Sequence, residues 1–303
     1  VDGVSFRLDH GKVLGIVGES GSGKSVTAYS VMQILAPTGK IVSGSVKFDG
    51  QELVGADEKL LRSVRGNRIS IIFQDPMTSL NPTYTIGRQL MEAILLHTDR
   101  NRHQARERAV EMLKLVNVNE PEKRMKQYPF ELSGGMRQRV MIAMALACNP
   151  KILIADEPTT ALDVTIQAQI MRLLKQLQEK MGTSIILITH DLGIVAQIAK
   201  HVMVMYCGQA VEYSDVRSIY KNPLHPYTAG LLRSIPKLTD DDMEELPSIP
   251  GMVPSPSEKL QGCRFAPRCE KCGARCKKEM PDLVTLEDGR KVRCFLYEGG
   301  VEG

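Results

Sequence analysis

Short runs of apolar, β-branched residues punctuate the chain: VLGIVG (13–18), ISIIFQ (69–74), KILIAD (151–156), TSIILITH (183–190) and HVMVMYCG (201–208). Each has the length of a buried strand and lacks strict alternation, the pattern of strands covered on both faces. IVSGSVKFDG (41–50) does alternate, and it reads as a strand ending in a turn. Between the last three runs lie VTIQAQIMRLLKQLQEKMG (164–182), helical in spacing and closed by Gly182, and DLGIVAQIAK (191–200). Strands separated by amphipathic helices predict an α/β fold with a largely parallel sheet. From about residue 84 to 148 the rhythm changes to helical patterns alone, which predicts a helical subdomain. Beyond about residue 235, proline, serine and acidic residues mark a linker, and a cysteine-rich segment follows as a small separate unit. The expected division is therefore a domain over 1–235 and an extension over 236–303.

Composition changes this picture little. Of 303 residues, 43% are hydrophobic and 24% charged, the balance of an ordinary globular protein. A net charge of +4 gives no ground for a nucleic-acid partner. There is no apolar run of membrane-spanning length and no secretory signal. The sequence opens at Val1 on strand-like material, so an upstream segment is expected to be missing.

GESGSGKS (18–25) changes it more. It follows a predicted strand, opens a helix and fits G-x-x-x-x-G-K-[ST], a phosphate-cradling loop. Glycines let the backbone wrap an anion, N–H groups point inward, and the helix N-terminus adds its positive end. Lys24 is the candidate contact to the β- and γ-phosphates and Ser25 the candidate Mg²⁺ ligand. KILIADEP (151–158) ends a strand in two carboxylates. Asp156 suits Mg²⁺, and Glu157, one residue on, could polarise an attacking water. A pair of solvated loop acids is the alternative.

LSGGM (132–136) stands shortly before that strand, and with it the chain resembles the nucleotide-binding subunits of ABC transporters, a P-loop NTPase fold with a helical subdomain. The resemblance implies ATP hydrolysis. It makes Gly18, Glu19, Ser20, Gly21, Ser22, Gly23, Lys24, Ser25 and Val26 one face of a nucleotide site. Ser133 and Gly135 would meet the γ-phosphate of ATP held by the opposite subunit, where Met136 replaces the family's glutamine. Gln74 resembles the glutamine that contacts Mg²⁺ and water, Asp163 of ALD (161–163) faces the second subunit, and His190 resembles the histidine that meets the γ-phosphate. Catalysis would then rest on Glu157, His190 and Lys24, with Mg²⁺ on Ser25, Gln74 and Asp156. In the family an adenine-stacking aromatic lies upstream of the first strand, so here it is expected in the segment thought to be missing.

QDPMTSLNPTYTIGRQL (74–90) and NPLHPYTAGLLRSIP (222–236) are similar to segments of dipeptide, oligopeptide and nickel importers. That similarity implies import of di- or oligopeptides, with residues 76–90 docking on a membrane subunit. It implies two membrane-spanning permease subunits, a second related ATPase subunit or a self-dimer, and an extracytoplasmic substrate-binding protein. The place would be the cytoplasmic face of the cell membrane, peripherally. A soluble ABC-type ATPase of translation or DNA maintenance is the rival, as is a metal-binding scaffold whose loop only stabilises the fold.

Five of seven cysteines lie between 263 and 294. Disulfides, zinc and a 4Fe-4S cluster are all open to such a set. In the importer subfamily the tail resembles C-x5-C-x6-C-x(n)-C, which implies Cys263, Cys269, Cys276 and Cys294 as iron–sulfur ligands, with zinc the alternative and Cys272 spare. Cys148 and Cys207 read as buried apolar residues on a helix and a strand.

Overall fold

The computed structural model describes residues 1–75, 79–160, 162–235, 248–254 and 261–298. In chain order its elements are β1 (Val13–Val17), α1 (Lys24–Met32), β2 (Lys47–Phe48), β3 (Gln51–Glu52), α2 (Glu58–Val64), β4 (Ile69–Ile72), α3 (Ile86–His97), α4 (Arg102–Leu115), α5 (Pro121–Arg124) and α6 (Gly134–Leu146). They continue with β5 (Ile152–Asp156), α7 (Val164–Met181), β6 (Ser184–Thr189), α8 (Leu192–Ile198), β7 (His201–Tyr206), β8 (Gln209–Asp215), α9 (Val216–Lys221), α10 (Pro226–Arg233), β9 (Val284–Thr285) and β10 (Lys291–Val292). The chain forms two compact units.

One unit comprises Leu8–Lys12 and Ala28–Ile188. Its ladder is parallel, β4 on β5 and β5 on β6, with Ile69 opposite Ile152 and Ile152 opposite Ser184. These are the unbroken apolar runs of the sequence, and their residues are nearly all buried. α7 turns Ile170, Met171, Leu173, Leu174 and Leu177 inward, a helical stripe, while its other face stays polar. The stretch expected to be helical is so: α3 buries Ile86, Leu90 and Ile94, and α4 buries Ala105, Ala109 and Met112. Arg108 of α4 ties this bundle to the end of α6 through Ala147 O at 3.2 Å and Asn149 Oδ1 at 2.6 Å. The expected strand over 41–50 is a correction: only Lys47–Phe48 pairs, in a hairpin with Gln51–Glu52. Three glycine-and-serine-rich residues, Ser43–Ser45, precede the pair and favour a bend over an extended ladder.

The other unit comprises Val1–Arg7, Val13–Thr27 and Thr189–Gly303. β1 lies parallel to β7, β7 forms an antiparallel hairpin with β8, and β10 and then β9 add antiparallel beyond it. α8 packs on β1 so closely that a Cβ on Gly15 would fall 2.3 Å from Val195 Cγ1. β8, β9 and β10 went unread in the sequence, because the last two are too short to carry a period. Cys207 is half-buried in the turn after β7, not on the strand, and Cys148 is half-buried past the end of α6.

Candidate functional site

The phosphate loop leaves β1, whose five residues are all buried, and enters α1 at Lys24. Gly18 has φ 155°, and a Cβ there would fall 2.2 Å from Met205 O, so no other residue fits. The N–H of Gly208 donates to Ser22 O at 2.9 Å, bracing the loop from the β7–β8 turn. Lys24 is buried and its Nζ donates to Gly18 O at 2.8 Å and Glu19 O at 3.0 Å. Ser22 Oγ is buried with no hydrogen-bond partner among the described residues. A buried hydroxyl, a lysine and a helix N-terminus make a donor set that suits a polyphosphate. Gly23 and Ser25 are half-buried, while Ser20, Gly21 and Val26 form the exposed rim.

In the other unit, β5 carries Asp156 to a fully buried position. The Tyr29 hydroxyl donates to Asp156; burial first, and then that carboxylate, pushes the phenol above its usual value. Glu157 has φ 45°, a left-handed conformation that few residues with a side chain adopt. Gln74 Nε2 donates to Glu157 Oε2 at 3.0 Å, and Thr160 Oγ1 donates to the same oxygen at 2.9 Å. Gln74 and Glu157, 83 positions apart, are thus brought together.

Ser133 is the N-cap of α6, its hydroxyl accepting from Met136 N–H at 3.4 Å. It is exposed, and Gly135 behind it is confined, since a Cβ there would lie 3.0 Å from Ile166 Cγ2. Asp163 caps α7 by accepting from Ile166 N–H at 2.9 Å, and it too is exposed. His190 is exposed directly after β6, followed by Asp191, which caps α8. Within the segment read as a docking surface, Pro76, Met77 and Thr78 lie outside the described residues, as does Ala161 of ALD. The rest of that segment is a built turn: Asn81 Oδ1 accepts from Thr83 N–H at 2.9 Å and Oγ1 at 2.7 Å, and Thr85 caps α3.

Cys263, Cys269, Cys276 and Cys294 line one cavity of about 210 Å³, with His225 and Phe265 in its wall. Cys272 is not among its lining residues. Burial raises the Cys263, Cys269 and Cys294 thiols, and the neighbouring cysteines raise them further, Cys294 to about 11. All seven cysteines are free of disulfides. Among the described residues no group of three or more His, Cys, Asp or Glu side chains is arranged to hold a metal ion.

Sequence reasoning passed over what NPLHPYTAGLL does. Glu212 of β8, fully buried, accepts from the N–H groups of Leu224 and His225, both at 2.9 Å, and burial raises its carboxyl. His225 is buried, which lowers its pKa to about 3, and its Nδ1 accepts from Tyr227 N–H at 3.0 Å, so the neutral ring carries its proton on Nε2. Tyr227 in turn reaches the phosphate loop, where the N–H of Glu19 donates to its hydroxyl at 2.9 Å. The signal was a His and a Tyr set between prolines in a quoted motif.

The family model described as ABC transporter matches residues 1–160, and the model for the oligopeptide/dipeptide transporter C-terminal region matches 211–276. The chain belongs to the ABC transporter family. The oligopeptide transport ATP-binding protein AppD of Bacillus subtilis is 54% identical over 299 residues, covering 98% of this chain and 91% of that protein. The dipeptide transport ATP-binding protein DppD of Escherichia coli is 50% identical over 294 residues, with 97% and 90% covered. Among solved structures, a dimeric ATP-binding cassette in a post-hydrolysis state with ADP and Pi superposes with a TM-score of 0.62 at 30% identity, covering 70% of this chain and 88% of that one. The ABC cassette fold and ATP hydrolysis follow. Among the described residues no helix is long and apolar enough to cross a membrane.

Proposed function

We propose that this ABC ATPase powers import of di- or oligopeptides from the cytoplasmic face of a membrane. The observation that carries the chemistry is the clamp on Glu157: one carboxylate oxygen accepts from both Gln74 and Thr160. Two donors on one oxygen fix the orientation of the carboxylate, which suits a general base toward water. Lys24 and the loop amides from Gly18 to Val26 bind and orient the phosphates. Mg²⁺, taken by Ser25, Gln74 and Asp156 in their motif roles, supplies charge neutralisation when bound. His190 holds the γ-phosphate, while Ser133, Gly135 and Asp163 serve the nucleotide of a second ATPase subunit, identical or related. The exposure of Ser133 and Asp163 supports that reading, since a group that acts on a partner must be reachable. Residues 76–90 dock on one of two permease subunits, and a substrate-binding protein delivers the peptide. Residues 1–235 make the cassette, 84–148 its helical subdomain, and 236–303 the extension.

In the extension, four thiols lining one cavity support a 4Fe-4S cluster, with zinc the alternative. Tetrahedral zinc at about 2.3 Å from each sulfur draws the sulfurs to about 3.8 Å of one another. A cube with iron and sulfide at alternating corners takes one thiolate on each iron, which suits four thiols lining one cavity of about 210 Å³. Cys263, Cys269, Cys276 and Cys294 would hold it. The activity test is peptide-stimulated phosphate release by the reconstituted transporter. Release stimulated by nickel and not by peptide overturns the substrate class.

A further inference from the structure

The second residue of the phosphate loop is acidic, Glu19, where a polyanion is to bind. A free carboxylate there would repel ATP. Its own unit supplies the answer from far along the chain. Arg268 donates from Nη1 to Glu19 Oε2 at 2.6 Å and from Nη2 to Oε1 at 3.1 Å, a two-pronged ion pair. The remaining N–H groups of Arg268 are also engaged. Nε donates to Pro250 O at 3.0 Å, Nη2 to Ile249 O at 3.2 Å and Nη1 to the Tyr206 hydroxyl at 3.4 Å. All five guanidinium N–H groups thus have partners, and the side chain is only 4% exposed. Phe265 packs beneath, its ring 5.2 Å from Tyr206 and 5.4 Å from Tyr227. Glu19 is consequently held by all three of its polar groups. Its N–H meets Tyr227, its carbonyl meets Lys24, and its carboxylate meets Arg268.

We propose that Arg268 is a positioning residue for ATP binding: from the C-terminal extension it neutralises and anchors Glu19, and so fixes the first turn of the phosphate loop and the resting place of Lys24. It touches no substrate. A planar fork held at five points leaves the glutamate one place to be, which a point charge on a flexible stem would not do.

The test is steady-state ATPase kinetics of the assembled transporter, with binding of a fluorescent ATP analogue as a second readout. Arg268→Met raises the KM for ATP about tenfold and changes kcat less than about twofold, the pattern of lost ground-state positioning. Arg268→Lys, with the charge but not the fork, raises KM about threefold. The double variant Glu19→Gln/Arg268→Met is no worse than Arg268→Met alone, because both act through one contact. Arg233→Met, which removes an exposed ion pair to Glu270 in the same extension, leaves KM within about twofold. If Arg268→Met does not fold, Arg268→Lys is read by itself at unchanged melting temperature: raised KM supports the assignment, and KM within about 1.5-fold of the parent overturns it. A folded Arg268→Met with unaltered KM also overturns it, as do Glu19 and Arg268 effects that simply multiply.

Discussion

Glu157 holds a backbone conformation that few residues with a side chain adopt, and it keeps that conformation between a buried aspartate and a proline. Strain of this kind persists when the surroundings over-determine it. Here Gln74 and Thr160 do so, and Glu157 N–H donates to Ile188 O at 2.9 Å. Replacing the carboxylate with an amide keeps the shape and removes the base. Glu157→Gln in the assembled transporter therefore cuts phosphate release roughly 100-fold or more while nucleotide binding stays intact. Unchanged turnover would assign the base elsewhere. Glu157 was legible in the sequence because the two adjacent acids end an apolar strand downstream of a phosphate loop. Tyr29 was not, because a tyrosine inside an amphipathic helix looks like core until its hydroxyl is seen on Asp156.

The helices of the site begin where a polar side chain caps them. Ser133 and Asp163 each take a backbone N–H three residues on, and each is also assigned to a partner's nucleotide. Asp163→Ala thus lowers thermal stability by about 1 kcal/mol, and Ser133→Ala by a similar amount, measurable by calorimetry on the isolated subunit. No change in either would mean that the caps are not holding their helices. The packing of α8 on β1 gives a sharper case. Val195 is β-branched and stiff, so Gly15→Ala forces overpacking and costs about 1–3 kcal/mol. The buried strands were legible because both of their faces are covered, which leaves continuous apolar runs. The 41–50 stretch misled because its alternation resembles a strand while Gly44 and its serines favour a bend. β9 and β10 are two residues each, and nothing local marks them.

At the scale of the whole chain, the motifs assigned to hydrolysis are divided between both compact units. The extension is stitched to the hairpin of β7 and β8 through β10, and to the phosphate loop through Arg268. Its four-thiol cavity gives a spectroscopic prediction. Anaerobically purified protein carries iron and sulfide with a broad visible absorption band, and Cys263→Ser, Cys269→Ser, Cys276→Ser or Cys294→Ser diminishes both. Cys272→Ser leaves them unchanged. Stoichiometric zinc without iron in protein from the native source refutes the cluster. The cysteine spacing was legible, but the link between Arg268 and Glu19 was not, since no local pattern joins residues 249 positions apart. That distance has a consequence in time. A ribosome adding about 5–20 residues per second needs roughly 12–50 s to travel from Glu19 to Arg268. Throughout that interval the emerging phosphate loop lacks its brace, and a chain broken off before the extension never acquires it. The brace thus ties full affinity for ATP to synthesis of the chain past Arg268.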